Sequence, residues 1–159
     1  MRPAPNLALP ADGRQSETAL AVARGARRLF RSLGFSTLVE LTLASGRRAD
    51  IVALGPGGEI HVVEIKSSVA DYRADRKWRD YRDDCDRFWF AIPRELPADI
   101  IPADAGLILA DLYGAGVERE APEHRLAPAR RRAVLLRFAR AAADRLHALG
   151  DPDAGPSPW

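Results

Sequence analysis

Hydrophobic positions along the chain change period several times, and each change marks an element. From Ser16 to Leu33 the apolar residues Ala19, Val22, Ala23, Ala26, Leu29, Phe30 and Leu33 recur at helical spacing and make one stripe. Ser16 can cap the free N–H groups of the first turn, and Gly34 can take the left-handed conformation after the last. Three strand-like runs follow, Phe35 to Leu43, Ala49 to Gly55 and Glu59 to Ser67. Pro56-Gly57-Gly58 between the last two reads as a tight hairpin loop, with glycine available where φ must be positive.

A second helix is expected from about Val69 to Asp86. Ala74, Trp78, Tyr81 and Cys85 give it a narrow apolar seam, and six acids and six bases lie between Asp71 and Arg87, which reads as a solvated face laced with ion pairs. A buried fourth strand, Phe88 to Ile92, is ended by Pro93 and Pro97. Gly106 to Ala110 and Gly116 to Arg119 read as a fifth and a short sixth strand. A last helix runs from about Pro128 to Leu149, with Leu135, Phe138, Ala142, Leu146 and Leu149 as its stripe. The order predicts a mixed α/β fold: an antiparallel meander, then a crossover helix and a buried strand.

The chain has 159 residues, 47% hydrophobic and 29% charged, which is the size and balance of one folded domain rather than a disordered protein. Residues 1–14 read as a flexible arm, 15–149 as a single domain and 150–159 as a disordered tail. No apolar run approaches the roughly 20 residues of a membrane span, and no secretory leader is expected at the N-terminus. A lone cysteine, Cys85, excludes an internal disulfide framework and a cysteine zinc cluster. A reducing cytoplasm is the expected compartment. The formal charge of +2 says little about partners, but only Lys66 and Lys77 are lysines among 24 basic residues. Such a bias reads first as the mark of a GC-rich genome, and its corollary is that a surviving lysine, Lys66 above all, marks a candidate position for a compact titratable charge that guanidinium replaces poorly.

The chemistry concentrates on the hairpin. With Pro56 to Gly58 as its loop, Gly55 pairs with Glu59, and the same register sets Asp50 opposite Glu64. Lys66, two residues on, points to the same face. Two carboxylates and an ammonium thus converge at the end of an otherwise apolar hairpin. Adjacent carboxylates repel, and a divalent cation relieves the repulsion. Hard oxygen ligands at this spacing suit Mg²⁺ or Mn²⁺, with the Ile65 carbonyl as a third ligand. Lys66 would stand beside the metal-bound water, orienting it or stabilising charge on a scissile phosphate. The plainer alternative is an ion pair in which Lys66 neutralises Asp50 or Glu64.

Helix, strand, Asp-bearing strand, ExK-bearing strand, helix, strand resembles the PD-(D/E)XK nuclease superfamily, a restriction-endonuclease-like αβββαβ core, with R-A-D here in place of P-D. More narrowly, GRRADIVAL, EIHVVEIKSSVADYRADRKWRDYRDDCDRFWFAIP, GLILADLYGA and APEHRLAPARRRAVLLRFARAAA resemble the MmcB-like DNA repair family. The resemblance implies a DNA-damage protein linked with translesion synthesis, a nuclease-like core, and Asp50, Glu64 and Lys66 as the active-site set. In the superfamily an accessory acid often comes from helix one, which points to Glu17, with Glu40 on the first strand as the alternative.

Arg47 and Arg48 precede Asp50 and are candidates for phosphate contact. The last helix carries six arginines against one acid between Arg130 and Arg145, so Arg130, Arg131 and Arg137 are candidates for sequence-independent DNA binding. His61, His124 and His147 are scattered and suggest no histidine site. Cys85, Tyr72, Trp78 and Tyr81 read as packing residues. Two functions stay open. One is a Mg²⁺- or Mn²⁺-dependent DNA endonuclease of repair, as a homodimer or monomer. The other is a non-catalytic DNA-binding adaptor that supports a lesion-bypass polymerase.

Overall fold

A computed structural model describes residues 16–156. The order is α1 (Glu17–Ser32), β1 (Ser36–Thr42), β2 (Arg48–Leu54), β3 (Ile60–Ile65), α2 (Val69–Ala74), β4 (Arg87–Pro93), β5 (Gly106–Ala110), β6 (Ala115–Arg119) and α3 (Pro128–Gly150), with short 3₁₀ segments at Trp78–Asp84 and Ala98–Ile100. The six strands form one sheet in sequence order. β1, β2 and β3 are antiparallel, β3, β4 and β5 are parallel, and β6 returns antiparallel to β5. This is the αβββαβ arrangement expected from the sequence, with a mixed sheet between helices.

Local chemistry fixes the ends. The Ser16 hydroxyl accepts from the Ala19 N–H at 3.1 Å, capping α1, and Gly34 follows the helix at φ 85°. The β2–β3 hairpin closes as its loop length predicts. Gly55 N–H donates to the Glu59 carbonyl at 2.8 Å, and Gly58 sits at φ 92°. The ladder pairs Leu54 with Ile60 and Ile51 with Val63. Two clusters hold the layers together. α1 lays Val22, Ala26 and Phe30 against Ile51, Val63, Trp89 and Ile108. On the other face Trp78, Tyr81 and Val134 pack on Val62, Phe88, Phe90 and Leu107. Gly25 lies so close to the β5–β6 turn that a Cβ there would stand 2.2 Å from the Asp111 carbonyl.

Asp86 ties three parts of the chain together. Its carboxylate accepts from the Ile60 N–H at 2.8 Å and the Leu126 N–H at 2.9 Å, and takes both Arg131 guanidinium nitrogens at 2.6 and 2.7 Å. Burial opposes its ionisation, but these donors outweigh burial and pull its pKa down to about 2.

Two expectations are corrected. The helix expected over 69–86 is broken. α2 ends at Ala74, Asp75 is extended, and the chain re-enters as the 3₁₀ segment. Asp75 is drawn to Lys66, whereas the Trp78 ring must stack on Phe88, 5.2 Å between centroids. Extended backbone at Asp75 supplies the reach between them, and Ala74 is left exposed. The stripe expected on α3 is displaced. Val134 and Ala141 are buried, while Leu146 and Leu149 face solvent. Gly150 is the last residue of α3, and Asp151 and Ala154 make turn hydrogen bonds after it. The arm expected over 1–14, and residues 157–159, lie outside the described residues. Among the described residues no helix is long and apolar enough to cross a membrane.

Candidate active site

Asp50 and Glu64 sit where the β2–β3 ladder gives way to side-chain hydrogen bonds. Asp50 N–H donates to Glu64 Oε1 at 3.2 Å, and Ile65 N–H donates to Asp50 Oδ2 at 2.8 Å. Each carboxylate is therefore anchored by backbone from the neighbouring strand. Burial raises the pKa of both. Glu64 is pushed up to about 8 by burial first and by the Asp50 charge second. The Tyr81 ring packs in the core while its hydroxyl donates to the Arg48 carbonyl at 3.1 Å and lies against the Glu64 carboxyl. Sequence reading had placed Tyr81 only in the core. The apolar spacing that finds the ring says nothing about its hydroxyl.

Lys66 is buried on the same side, and its charge partly offsets the rise in the Asp50 and Glu64 pKa values, but its close ion pair is made elsewhere. Its ammonium pairs with Asp75 Oδ2 at 3.0 Å. Asp75 was not singled out by spacing, because a continuous helix would not have held it there. A cleft of about 540 Å³ opens over the pair, lined by Asp50, Glu64, Lys66, Ser67 and Asp71, with Ser16 and Ala19 from the start of α1. A second hollow of about 390 Å³ shares Arg48, Lys66 and Asp71 with it and adds Arg47, Asp75 and Tyr81.

The remaining candidates separate. Glu17 is exposed on the first turn of α1 and does not line the cleft. The acid at its rim is Asp71 of α2, whose charge helps to raise the Asp50 pKa. Glu40 has φ 50° and interrupts the β1–β2 ladder between Val39 and Leu41. Its side chain reaches Arg48 at 3.7 Å, and Arg145 holds its carbonyl at 2.9 Å. Arg48 is half exposed on both hollows. Arg47 donates to the Lys77 carbonyl at 2.7 Å and lies over the Tyr81 ring. Arg130 is exposed near Asp84, 3.9 Å away, and Arg137 reaches the Thr42 carbonyl at 3.4 Å. Arg131 turns inward, and its charge is met by Asp86 at 2.6 Å. His61 is buried and accepts from the Trp89 indole N–H at 3.1 Å. Burial, then Arg87, lowers its pKa to about 4, so it is a neutral packing residue.

Among the described residues no three acidic, histidine or cysteine side chains gather as a metal group. The protein donors are instead two carboxylates and a carbonyl. Ile65 N–H points at Asp50, and the N–H and C=O of a strand residue share an edge, so the Ile65 carbonyl faces the same side. Two carboxylates plus one carbonyl, with room in the cleft for water, fit a hard divalent cation that keeps part of its hydration shell. They lack the cysteine and histidine ligands on which zinc sites are usually built.

An αβββαβ core that carries Asp and ExK at facing positions of its hairpin is a restriction-endonuclease-like, PD-(D/E)XK-type fold. A family model for DNA repair protein MmcB-like matches residues 7–153, and the chain belongs to that family of DNA repair proteins. Its role is therefore in DNA repair, and DNA is the partner the family implies. A solved structure of the SPO1766 protein of unknown function from Silicibacter pomeroyi shares the fold. It is 45% identical, with a TM-score of 0.85 over 91% of this chain and 99% of that one. The comparison with curated proteins gives no match.

Proposed function

We propose that the protein is a divalent-metal-dependent DNA endonuclease acting in repair. The observation that carries this reading is the pair of half-buried Asp50 and buried Glu64, held face to face by backbone hydrogen bonds, with a raised Glu64 pKa and with Lys66 on the same side. Nothing in packing requires two carboxylates there, since apolar residues fill the rest of the hairpin. Asp50, Glu64 and the Ile65 carbonyl would hold Mg²⁺ or Mn²⁺, which when bound polarises a phosphoryl oxygen and acidifies water. Glu64 would serve as a ligand in its ionised form, so its raised pKa would make binding of the ion favour higher pH. Lys66, paired with Asp75, sets a positive charge beside the position where phosphate charge develops. Arg48, on the cleft rim, contacts a flanking phosphate. A link to translesion synthesis belongs to the same reading and rests on the family resemblance.

One observation favours the second reading, a non-catalytic DNA-binding adaptor: the Lys66 charge is already paired with Asp75. Cleavage assays decide between the two. The purified chain, with Mg²⁺ or Mn²⁺, is expected to cut at least one of duplex, nicked, flapped, branched or single-stranded DNA. Asp50→Ala and Glu64→Ala should each abolish cutting while DNA binding persists, and Lys66→Arg should be severely impaired because a planar fork cannot replace a compact ammonium. No cutting of any of these by the wild type would return the protein to the adaptor reading.

A further inference from the structure

The outward face of α3 carries apolar side chains that the domain leaves uncovered. Leu136 is 53% exposed, Leu146 70% and Leu149 48%, and Ala139 and Ala143 are exposed between them. Leu136, Ala139, Ala143 and Leu146 are spaced three, four and three residues apart. That is the 3.5-residue repeat of a helix–helix seam. The series also reads the same in both directions. Against an antiparallel second copy, Leu136 meets Leu146 of the partner subunit and Ala139 meets Ala143 of the partner subunit, as a two-fold interface requires. The central alanines let the helix axes approach to about 8 Å, the close end of the usual range.

The ends of the seam are complementary too. Beside Leu136 lies a groove of about 500 Å³, lined by Leu126, Pro128, Leu135 and Ala139, with Arg125 and Arg132 on its rim. Neither arginine has an ion-pair partner among the described residues. The antiparallel register places Arg132 opposite the partner's α3 C-terminus. That end brings Leu146 and Leu149 to the groove, and exposed Asp153 and the negative end of the helix dipole to the arginines, with Asp151 held by His147 of its own helix at 3.6 Å.

We propose that the chain forms a two-fold homodimer through antiparallel α3 helices, each copy seating its Leu146 end in the other's Leu126–Leu135 groove. The proposal is independent of the hydrolytic reading. A single helix pair is a small interface, so association in the micromolar range is expected. Sedimentation equilibrium of the full chain at about 10–100 μM should give dimer mass, and Leu146→Glu should weaken association about 100-fold with an unchanged circular dichroism spectrum, since its site faces solvent. Oxidative cross-linking then tests the register. Chains carrying Ala139→Cys should link to chains carrying Ala143→Cys and not to themselves, with buried Cys85 silent. A monomeric wild type at the top of that range, a dimer indifferent to Leu146→Glu, or Ala139→Cys chains that link to one another as readily would overturn the proposal.

Discussion

The Lys66 ammonium lies 3.0 Å from an Asp75 carboxylate oxygen, and both side chains are largely buried. Asp75 comes from the extended break between α2 and the 3₁₀ segment, so one ion pair links the ExK strand to the segment that shapes the cleft. Removing one partner of a buried pair leaves the other charge uncompensated. Asp75→Asn is therefore expected to lower stability by about 3 kcal/mol in denaturant unfolding. The double variant Lys66→Met with Asp75→Asn should lose clearly less than the two single losses added together. A single-variant effect within about 0.5 kcal/mol, the level of an ordinary surface change, would mean that the pair does not hold the segment.

Glu64 gives a pH dependence of opposite sign to that of most carboxylates. Its pKa rises from an ordinary 4.5 to about 8 in the metal-free fold. Between those values the folded state binds more protons than the unfolded one, so this group's contribution to stability falls as pH rises through the window and levels off above about 8. Glu64→Gln keeps an oxygen for the Asp50 N–H and carries no charge. It is expected to be more stable than the wild type at pH 8, on the order of 1–3 kcal/mol, and no more stable at pH 4. Thermal unfolding across that range reads the crossover. Wild-type stability that climbs from pH 5 to 8 relative to Glu64→Gln would contradict the buried pair.

Two arginines that look alike in sequence should behave differently. Arg131→Ala strands the Asp86 carboxylate and is expected to cost about 3–5 kcal/mol. The contribution of Asp86 itself is present above its ordinary value of 3.8 and is lost as pH falls toward about 2. Arg48, half exposed, meets the largely buried Glu40 only at a long 3.7 Å, a pair worth about 1 kcal/mol or less. Arg48→Ala should leave stability nearly unchanged, yet weaken DNA binding and reduce the salt slope of log K by about 1. Chemical denaturation and a salt titration of DNA affinity separate the two. An unchanged slope would take Arg48 out of the DNA contact.

The hairpin geometry was legible before any coordinates because it depends on counting. A three-residue glycine loop sets the register, and strand pleating then fixes which residues share a face, so Asp50, Glu64 and Lys66 follow from spacing alone. The element order and the helix cap at Ser16 follow from local chemistry in the same way. What lay outside local reach was decided by partners distant in sequence. Asp75 stops α2 because Lys66 waits at the end of β3, and Trp78 re-enters because Phe88 offers a ring to stack on. Arg131 is held by Asp86, 45 residues earlier. The α3 stripe packs through Leu135 and Phe138 but runs off the body at Leu146 and Leu149, because helical spacing shows that a side is apolar, whereas the packed body determines which apolar residues it can cover. Local sequence sets the dihedral preferences, the caps and the register. Burial and charge pairing are properties of the assembled layers, and only the tertiary structure brings those groups within reach of one another.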